Sequence, residues 1–383
     1  MAQKKIRFGI IGCGLMGREF ASATARWCHL QDIGTTPEIV AISDTNPAAF
    51  EWFTGNFSAI HQTSTNYNDL LTNPEVDAVY CAIPHHLHHP CYTETIQAGK
   101  HLLGEKPFGI DLAANAAILS PLKAHPNLVV RCSSQFPYFP GVQRIVRMAG
   151  EKRFGRIIEI EAGFLHSSDL DPRKQINWKR MVEINGEYGC MGDLALHTLH
   201  VPLRLGFMPK NVRAILSNIV PMRPNARGEM TPSPTWDNAT LLCEIADSDY
   251  SFPMTIKTHR IAPGETNTWY LSIKGVRNSA RFSTKYPKTL ETMPYEPGSE
   301  QTWHREDLGY ASVYPTITGS IFEFGFSDAI MQMIASFCEQ ISLGPNAEVP
   351  FGCVTPEETR LQHLLLTAAL ASHRDRATTA LPE

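Results

Sequence analysis

The sequence predicts an α/β chain in two domains. Residues 1–132 should form a doubly wound parallel sheet, and residues 133–383 an α+β domain on a large, mainly antiparallel open sheet. Three observations carry this. An apolar run enters a glycine-rich turn and then a helix without a gap; strand-like and helix-like stretches alternate up to Cys132; beyond it, strand-like runs follow one another with few helices.

The first run, Ile6-Arg7-Phe8-Gly9-Ile10-Ile11, is apolar and β-branched, as a buried parallel strand should be. Gly12-Cys13-Gly14-Leu15-Met16-Gly17 then spells G-x-G-x-x-G, and Arg18 to Arg26 reads as a helix. In such a turn the first glycine permits the tight bend, the second lets a pyrophosphate approach the backbone, and the third lets helix and strand pack closely. The helix N-terminus offers free N–H groups to the same anion. A second strand, Glu38 to Ser43, ends at Asp44, whose carboxylate is placed for both ribose hydroxyls. Its charge opposes a 2′-phosphate and no Arg follows directly, so NAD is expected over NADP. The acid lies further from the last glycine than the usual ~20 residues, which makes Gln31 to Pro37 read as an inserted loop.

Alternation continues with helical stretches at 47–57 and 67–71, a strand at 76–83 stopped by Pro84, and a helix at 90–98. A strand at 101–104 delivers Glu105-Lys106-Pro107, a helix spans 112–124, and a strand at 128–132 completes a Rossmann sheet. A linking helix at 141–149 follows. Strand-like runs then cover 156–164, 212–220, 239–245, 254–259, 269–273 and 280–283, with a hairpin turn between the last two. Helices are expected at 190–205, 328–343 and 356–374, and the proline-rich connectors 221–234 and 287–297 read as surface loops.

With 34 basic and 38 acidic residues in 383, the net charge of −4 argues against nucleic acid or a membrane surface as partner. Nine cysteines without a C-x-x-C pair suit a reducing compartment. No apolar stretch reaches transmembrane length. A cytoplasmic protein is expected.

Four places could carry chemistry. Lys106 follows a sheet strand at its carboxyl end, where ligands of such sheets bind, and its amine could hydrogen-bond a substrate oxygen as charge develops. Asp193, His197 and His200 share one helical face by their spacing, with Asp193 as orienter and His197 as base. A metal on those three lacks companions, and none is expected. The tract Pro84-His85-His86-Leu87-His88-His89-Pro90 is rich in metal ligands, yet its place after a nucleotide-sheet strand suggests a backbone wall for the cofactor. Trp178-Lys179-Arg180 reads as a substrate rim, with Lys179, Arg180, Lys257 or Arg260 as candidates to meet an anionic group. Tyr138, at the domain junction, reads equally as a cleft hydroxyl or a core tyrosine, and Cys190 as packing.

At these residues the chain resembles the Gfo/Idh/MocA oxidoreductases (glucose–fructose oxidoreductase, inositol dehydrogenase and relatives). The resemblance rests on Gly12 to Gly17, Pro84-His85-His86-Leu87-His88, Gly99-Lys100-His101, Glu105-Lys106-Pro107 and Asp193-Leu194-Ala195-Leu196-His197. It implies a Rossmann domain followed by an open-sheet domain that binds substrate and mediates self-association. It implies NAD as cofactor, lined by the glycine turn (Gly12, Cys13, Gly14, Leu15, Met16, Gly17), Asp44, Pro84, His85, His88, Glu105 and Lys106. Lys106, Asp193 and His197 fall at the family's catalytic positions. The implied activity is oxidation of a sugar, glycoside or polyol hydroxyl by hydride transfer from its carbon to nicotinamide. An alternative is an NAD-dependent glycosidase, on an anionic glycoside such as a sulfoquinovoside; a non-catalytic NAD sensor is the third reading. His85, Ala195, His200 and Tyr188 depart from the family pattern, which implies an altered substrate pocket.

Overall fold

Lys4–Ile11 (β1) has Phe8, Ile10 and Ile11 fully buried and pairs in parallel on both sides. The computed structural model describes residues 3–309, 312–322 and 324–382. From β1 the chain runs through Leu15–Ala25 (α1), Thr35–Ser43 (β2), Phe50–Asn56 (α2), Gln62–Ser64 (β3), Asn68–Leu71 (α3) and Ala78–Cys81 (β4). His88–Gln97 (α4), His101–Gly104 (β5), Leu112–Leu119 (α5) and Val130–Cys132 (β6) follow. The six strands are parallel in the order β3-β2-β1-β4-β5-β6, so the order reverses between β1 and β4. That reversal is where doubly wound sheets bind their ligands. Phe20 of α1 secures the helix on the sheet, its ring 5.1 Å from Phe8 and stacked 4.3 Å from Tyr80.

The expected loop at 31–37 is partly strand. β2 begins at Thr35, and the added length before Asp44 is a 3-10 turn, Trp27–His29, plus a longer strand. The Trp27 indole donates to the Thr35 carbonyl at 2.8 Å, which fixes that early start. The strand Gln62–Ser64 was not expected.

The second sheet is built after Pro140–Gly150 (α6) from Ile157–Leu165 (β7); Val182–Asn185 (α7) and Cys190–Arg204 (α8) interrupt it. Pro209–Ser217 (β8), Met222–Pro224 (β9), Met230–Pro232 (β10), Asn238–Asp247 (β11) and Tyr250–His259 (β12) come next. Thr268–Gly275 (β13), Asn278–Ser283 (β14), Thr289–Pro294 (β15) and His304–Asp307 (β16) complete this part. Phe326–Leu343 (α9), Pro356–Asp375 (α10) and Thr379–Ala380 (β17) end the described chain. The nine strands run β16-β15-β14-β13-β7-β12-β11-β8-β17, antiparallel except at β7–β12. Along β11, Ala239, Leu241, Cys243 and Ile245 are buried while Leu242 and Glu244 are exposed, the period-2 alternation of a one-sided sheet. α8 covers the buried face against β7 and β12.

Two expectations need correction. The proline-rich connectors are not plain loops: 287–297 holds β15, which pairs with β14, and 221–234 folds as the β9–β10 hairpin. Their prolines sit at strand ends, where no ladder donor is needed. The division of the chain also differs from a single cut at 132. The two compact units are Met1–Tyr138 with Ala311–Thr359, and Phe139–Tyr310 with Arg360–Glu383. α9 belongs to the first because its apolar face, with Ile330, Met333, Ile334 and Phe337 buried, packs against α1 and β2. The Phe337 ring lies 6.2 Å from that of Phe8, and Arg131 donates to Gln340 at 3.1 Å.

Candidate active site

In the first unit the nucleotide turn divides its three glycines by function. Gly12 has φ +98°, and a Cβ there would drive into the Ala82 carbonyl; at Gly17 it would strike the carbonyl of Gly12. At Gly14 a Cβ would meet nothing within 4 Å. Gly14 is also the N-cap of α1 and contributes no side-chain cap, so the first helical N–H groups face an open approach. Leu15 beside it is exposed and Met16 half-buried. The Asp44 carboxylate accepts the N–H of Cys13 on one oxygen and that of Asn46 on the other, both at 2.8 Å. A carboxylate has about four acceptor sites, so capacity remains for ribose hydroxyls. This cradle fits a dinucleotide. The Cys13 thiol is packing: burial, reinforced by Asp44, pushes it up to about 12.

Beyond β4 and β5 lie the other expected cofactor residues. Pro84 is half-buried; His85 and His88 are buried, while His86 and His89 point to solvent. Among the described residues no three His, Cys, Asp or Glu side chains gather as metal ligands. His88 does not face an open cleft. Its ring nitrogens lie 2.6 Å from the Pro107 carbonyl and 2.9 Å from that of Ile83, and burial holds its pKa down to about 4. Glu105 accepts the Tyr80 hydroxyl at 2.8 Å, and the Tyr92 hydroxyl donates to the Glu105 carbonyl at 2.8 Å. Lys106 is half-buried, and its peptide bond to Pro107 is cis.

In the second unit α8 starts after Gly189, at φ +56°, where a Cβ would press on the Trp236 backbone. Asp193, His197 and His200 are all buried on this helix. Asp193 is gripped by two cations: Lys179 donates to Oδ1 at 2.9 Å, and Arg260 to Oδ2. Trp269 donates to the His197 carbonyl at 2.7 Å, and Phe164 packs edge-on against the imidazole at 5.4 Å. The Lys179 ammonium also lies 5.4 Å from the centre of the half-buried Trp178 ring.

Several substrate expectations fail. Arg180 is 2% exposed and paired with Asp169 and with Asp237 (3.2 Å), so it is an interior ion pair. Burial would raise the Asp169 carboxyl, but Arg180, Lys174 and Arg260 hold it below the usual range. Lys179 and Arg260 both have a counter-ion in Asp193. Lys257 alternates with Thr258, which contacts Cys190 of α8, and therefore faces away from that helix. Tyr138 is wholly buried, donating to the Phe351 carbonyl at 3.2 Å: a core tyrosine of the first unit. The Cys190 thiol is pushed up to about 12 by burial. Tyr80, Tyr92, Asp169 and Asp237 were not singled out from sequence; only the four-residue step from His88 to Tyr92 marked a shared helix face.

Residues 6–131 match the profile of the Gfo/Idh/MocA family, described as an oxidoreductase family with an NAD-binding Rossmann fold. A levoglucosan dehydrogenase of Pseudarthrobacter phenanthrenivorans is 26% identical over 226 residues, 59% of this chain and 57% of that protein. A dTDP-3,4-didehydro-2,6-dideoxy-alpha-D-glucose 3-reductase of Saccharopolyspora spinosa is 29% identical over 212 residues, 52% of this chain and 58% of that one. The chain thus spans somewhat more than half the length of these curated relatives. Among solved structures, levoglucosan dehydrogenase in complex with NADH and L-sorbose has a TM-score of 0.88 at 21% identity, covering all of both chains. An oxidoreductase domain protein from Kribbella flavida has a TM-score of 0.89 at 19% identity, also over both whole chains. These likenesses establish a common fold.

Proposed function

We propose that the chain, whose residues 6–131 match the Gfo/Idh/MocA oxidoreductase family, belongs to that family and oxidises a hydroxyl of a sugar, glycoside or polyol with NAD, or runs the reverse reduction. The observation that carries this is the open Gly14 edge of the nucleotide turn beside a fixed Asp44. The carbohydrate class is supported by relatives named for sugar substrates.

Gly12 to Gly17 and Asp44 would hold the dinucleotide, with the main chain of Pro84, His85 and Glu105 lining its reactive end. Bound there, NAD supplies a hydride acceptor. His197 takes the hydroxyl proton as base. Lys106 donates to the substrate oxygen as negative charge develops on it. Asp193, paired with Lys179 and Arg260 and one turn before His197 on α8, would orient the imidazole. Trp178 offers an aromatic face to sugar C–H groups. No described helix is long and apolar enough to cross a membrane; the cysteine pattern supports a cytoplasmic setting. Exposed Ile215 and Leu242, on adjacent strands of the outer sheet face, support self-association.

The test is incubation with NAD and a panel of sugars, polyols and aryl glycosides, following NADH and aglycone together. NADH should accumulate; His197→Ala should abolish it and Lys106→Ala should slow it about a hundredfold, while NAD still binds to both. Aglycone without NADH would replace this reading with the glycosidase, and neither product would leave a cofactor-binding sensor.

A further inference from the structure

We propose that His88 and Tyr92 are positioning residues that grip the main chain on both sides of Lys106, so that its amine is presented from a fixed backbone. The inference rests on Lys106 acting at the substrate oxygen, as proposed above. His88 and Tyr92 are four residues apart on α4 and therefore share one face. Their rings stack, with centroids 4.8 Å apart and planes at 18°. From that face the Tyr92 hydroxyl donates to the carbonyl of Glu105, the residue before Lys106, at 2.8 Å. One His88 ring nitrogen lies 2.6 Å from the carbonyl of Pro107, the residue after it. The other lies 2.9 Å from the Ile83 carbonyl; the neutral ring has one N–H to donate, and it sits between the loop after β4 and the loop after β5.

Neighbouring contacts extend the grip. Gly104 lies so close to the Tyr92 ring that a Cβ there would come within 2.6 Å of it. The Phe108 ring packs 4.9 Å from the same tyrosine, and Tyr80 holds the Glu105 carboxylate. Gly104, Glu105, Pro107 and Phe108 are buried, whereas Lys106 between them is half-buried. Buried backbone carbonyls need partners: the Glu105 carbonyl takes the Tyr92 hydroxyl, and the Pro107 carbonyl takes the Gly109 N–H at 2.9 Å with the His88 ring as a second neighbour. A group that must meet a reacting oxygen gains from such a fixed mounting, because small misplacements are costly in rate.

Hydrogen–deuterium exchange on the substrate-free protein decides the structural part. Tyr92→Phe keeps the ring and removes only the hydroxyl; it should speed exchange across residues 104–109 while the melting temperature changes little. His88→Gln, which keeps one donor, is the second variant should the first fold poorly. In turnover, Tyr92→Phe should lower kcat about tenfold, the scale of one lost hydrogen bond, and leave NAD affinity unchanged. Combined with Lys106→Ala it should cost nothing further, because the two changes act on one group. Unaltered exchange in both variants overturns the proposal, as does a full-sized Tyr92→Phe loss persisting in the Lys106→Ala background. A wild-type protein that oxidises no sugar would instead overturn the function proposed above, and the exchange result would still decide the grip.

Discussion

The three glycines of the nucleotide turn should separate binding from folding when each is given a methyl group. Gly14→Ala adds a Cβ that meets no protein atom within 4 Å, at a backbone of φ −74° and ψ −159° that alanine adopts without strain. Its stability should stay within about 1 kcal/mol of wild type, with a stabilising contribution from the stiffer unfolded chain. The methyl nevertheless occupies the approach to the α1 N-terminus. Losing one charge-assisted hydrogen bond to a phosphate costs about 1.5–3 kcal/mol, a ~10- to 100-fold weakening of NAD binding. Gly12→Ala should behave in the opposite way. Its positive φ of +98° adds about 1–2 kcal/mol of strain, and the collision with the Ala82 carbonyl about 1–3 kcal/mol more. Together these consume a large part of a stability of about 5–15 kcal/mol. Calorimetric titration with NAD and thermal melts of both variants provide the comparison. A Gly14→Ala protein that binds NAD as tightly as wild type would refute the assignment of this turn to the pyrophosphate.

Arg180→Met should lower the unfolding free energy by about 3–5 kcal/mol, because it leaves Asp169 and Asp237 buried with one cation fewer; unchanged stability with a raised KM would return Arg180 to the substrate rim. His88 supplies a pH prediction. Its folded pKa of about 4 lies below the ordinary 6.5, so the unfolded chain binds the extra proton between those values. The contribution is complete above pH 6.5 and falls away as the pH drops towards 4, to a total of at most about 3 kcal/mol. Urea unfolding at pH 7, 5.5 and 4.5 should show this component in wild type and not in His88→Gln, and equal pH dependence in the two proteins would contradict it.

What could be read directly from the residues was local in origin. Strand, glycine turn, helix and terminal acid succeed one another within a short stretch, so spacing alone revealed the nucleotide cradle, and periodicity placed Asp193 and His197 on one helix. What escaped depended on partners distant in sequence. Arg180 looked like a surface cation because its acids, Asp169 and Asp237, are loop and strand-edge residues without a shared period. Tyr138 looked ambiguous until Phe351, more than two hundred residues later, supplied the acceptor for its hydroxyl. Asp193 and His197 suggested a simple pair; the two cations on Asp193 arrive from separate segments, at Lys179 and Arg260. β15 was hidden by prolines, whose usual message is a turn, although strand ends tolerate them equally well.

The return of α9 to the first unit bears on how this protein is made. During synthesis the glycine turn and all six parallel strands leave the ribosome early, yet the part of the surface around Phe8 that α9 covers waits for Phe337, more than three hundred residues later. The nascent nucleotide unit must therefore wait, exposed, through production of almost the whole second unit. A gene fragment ending at Tyr138 would lack α9 and leave bare the surface of α1 and β2 that this helix covers.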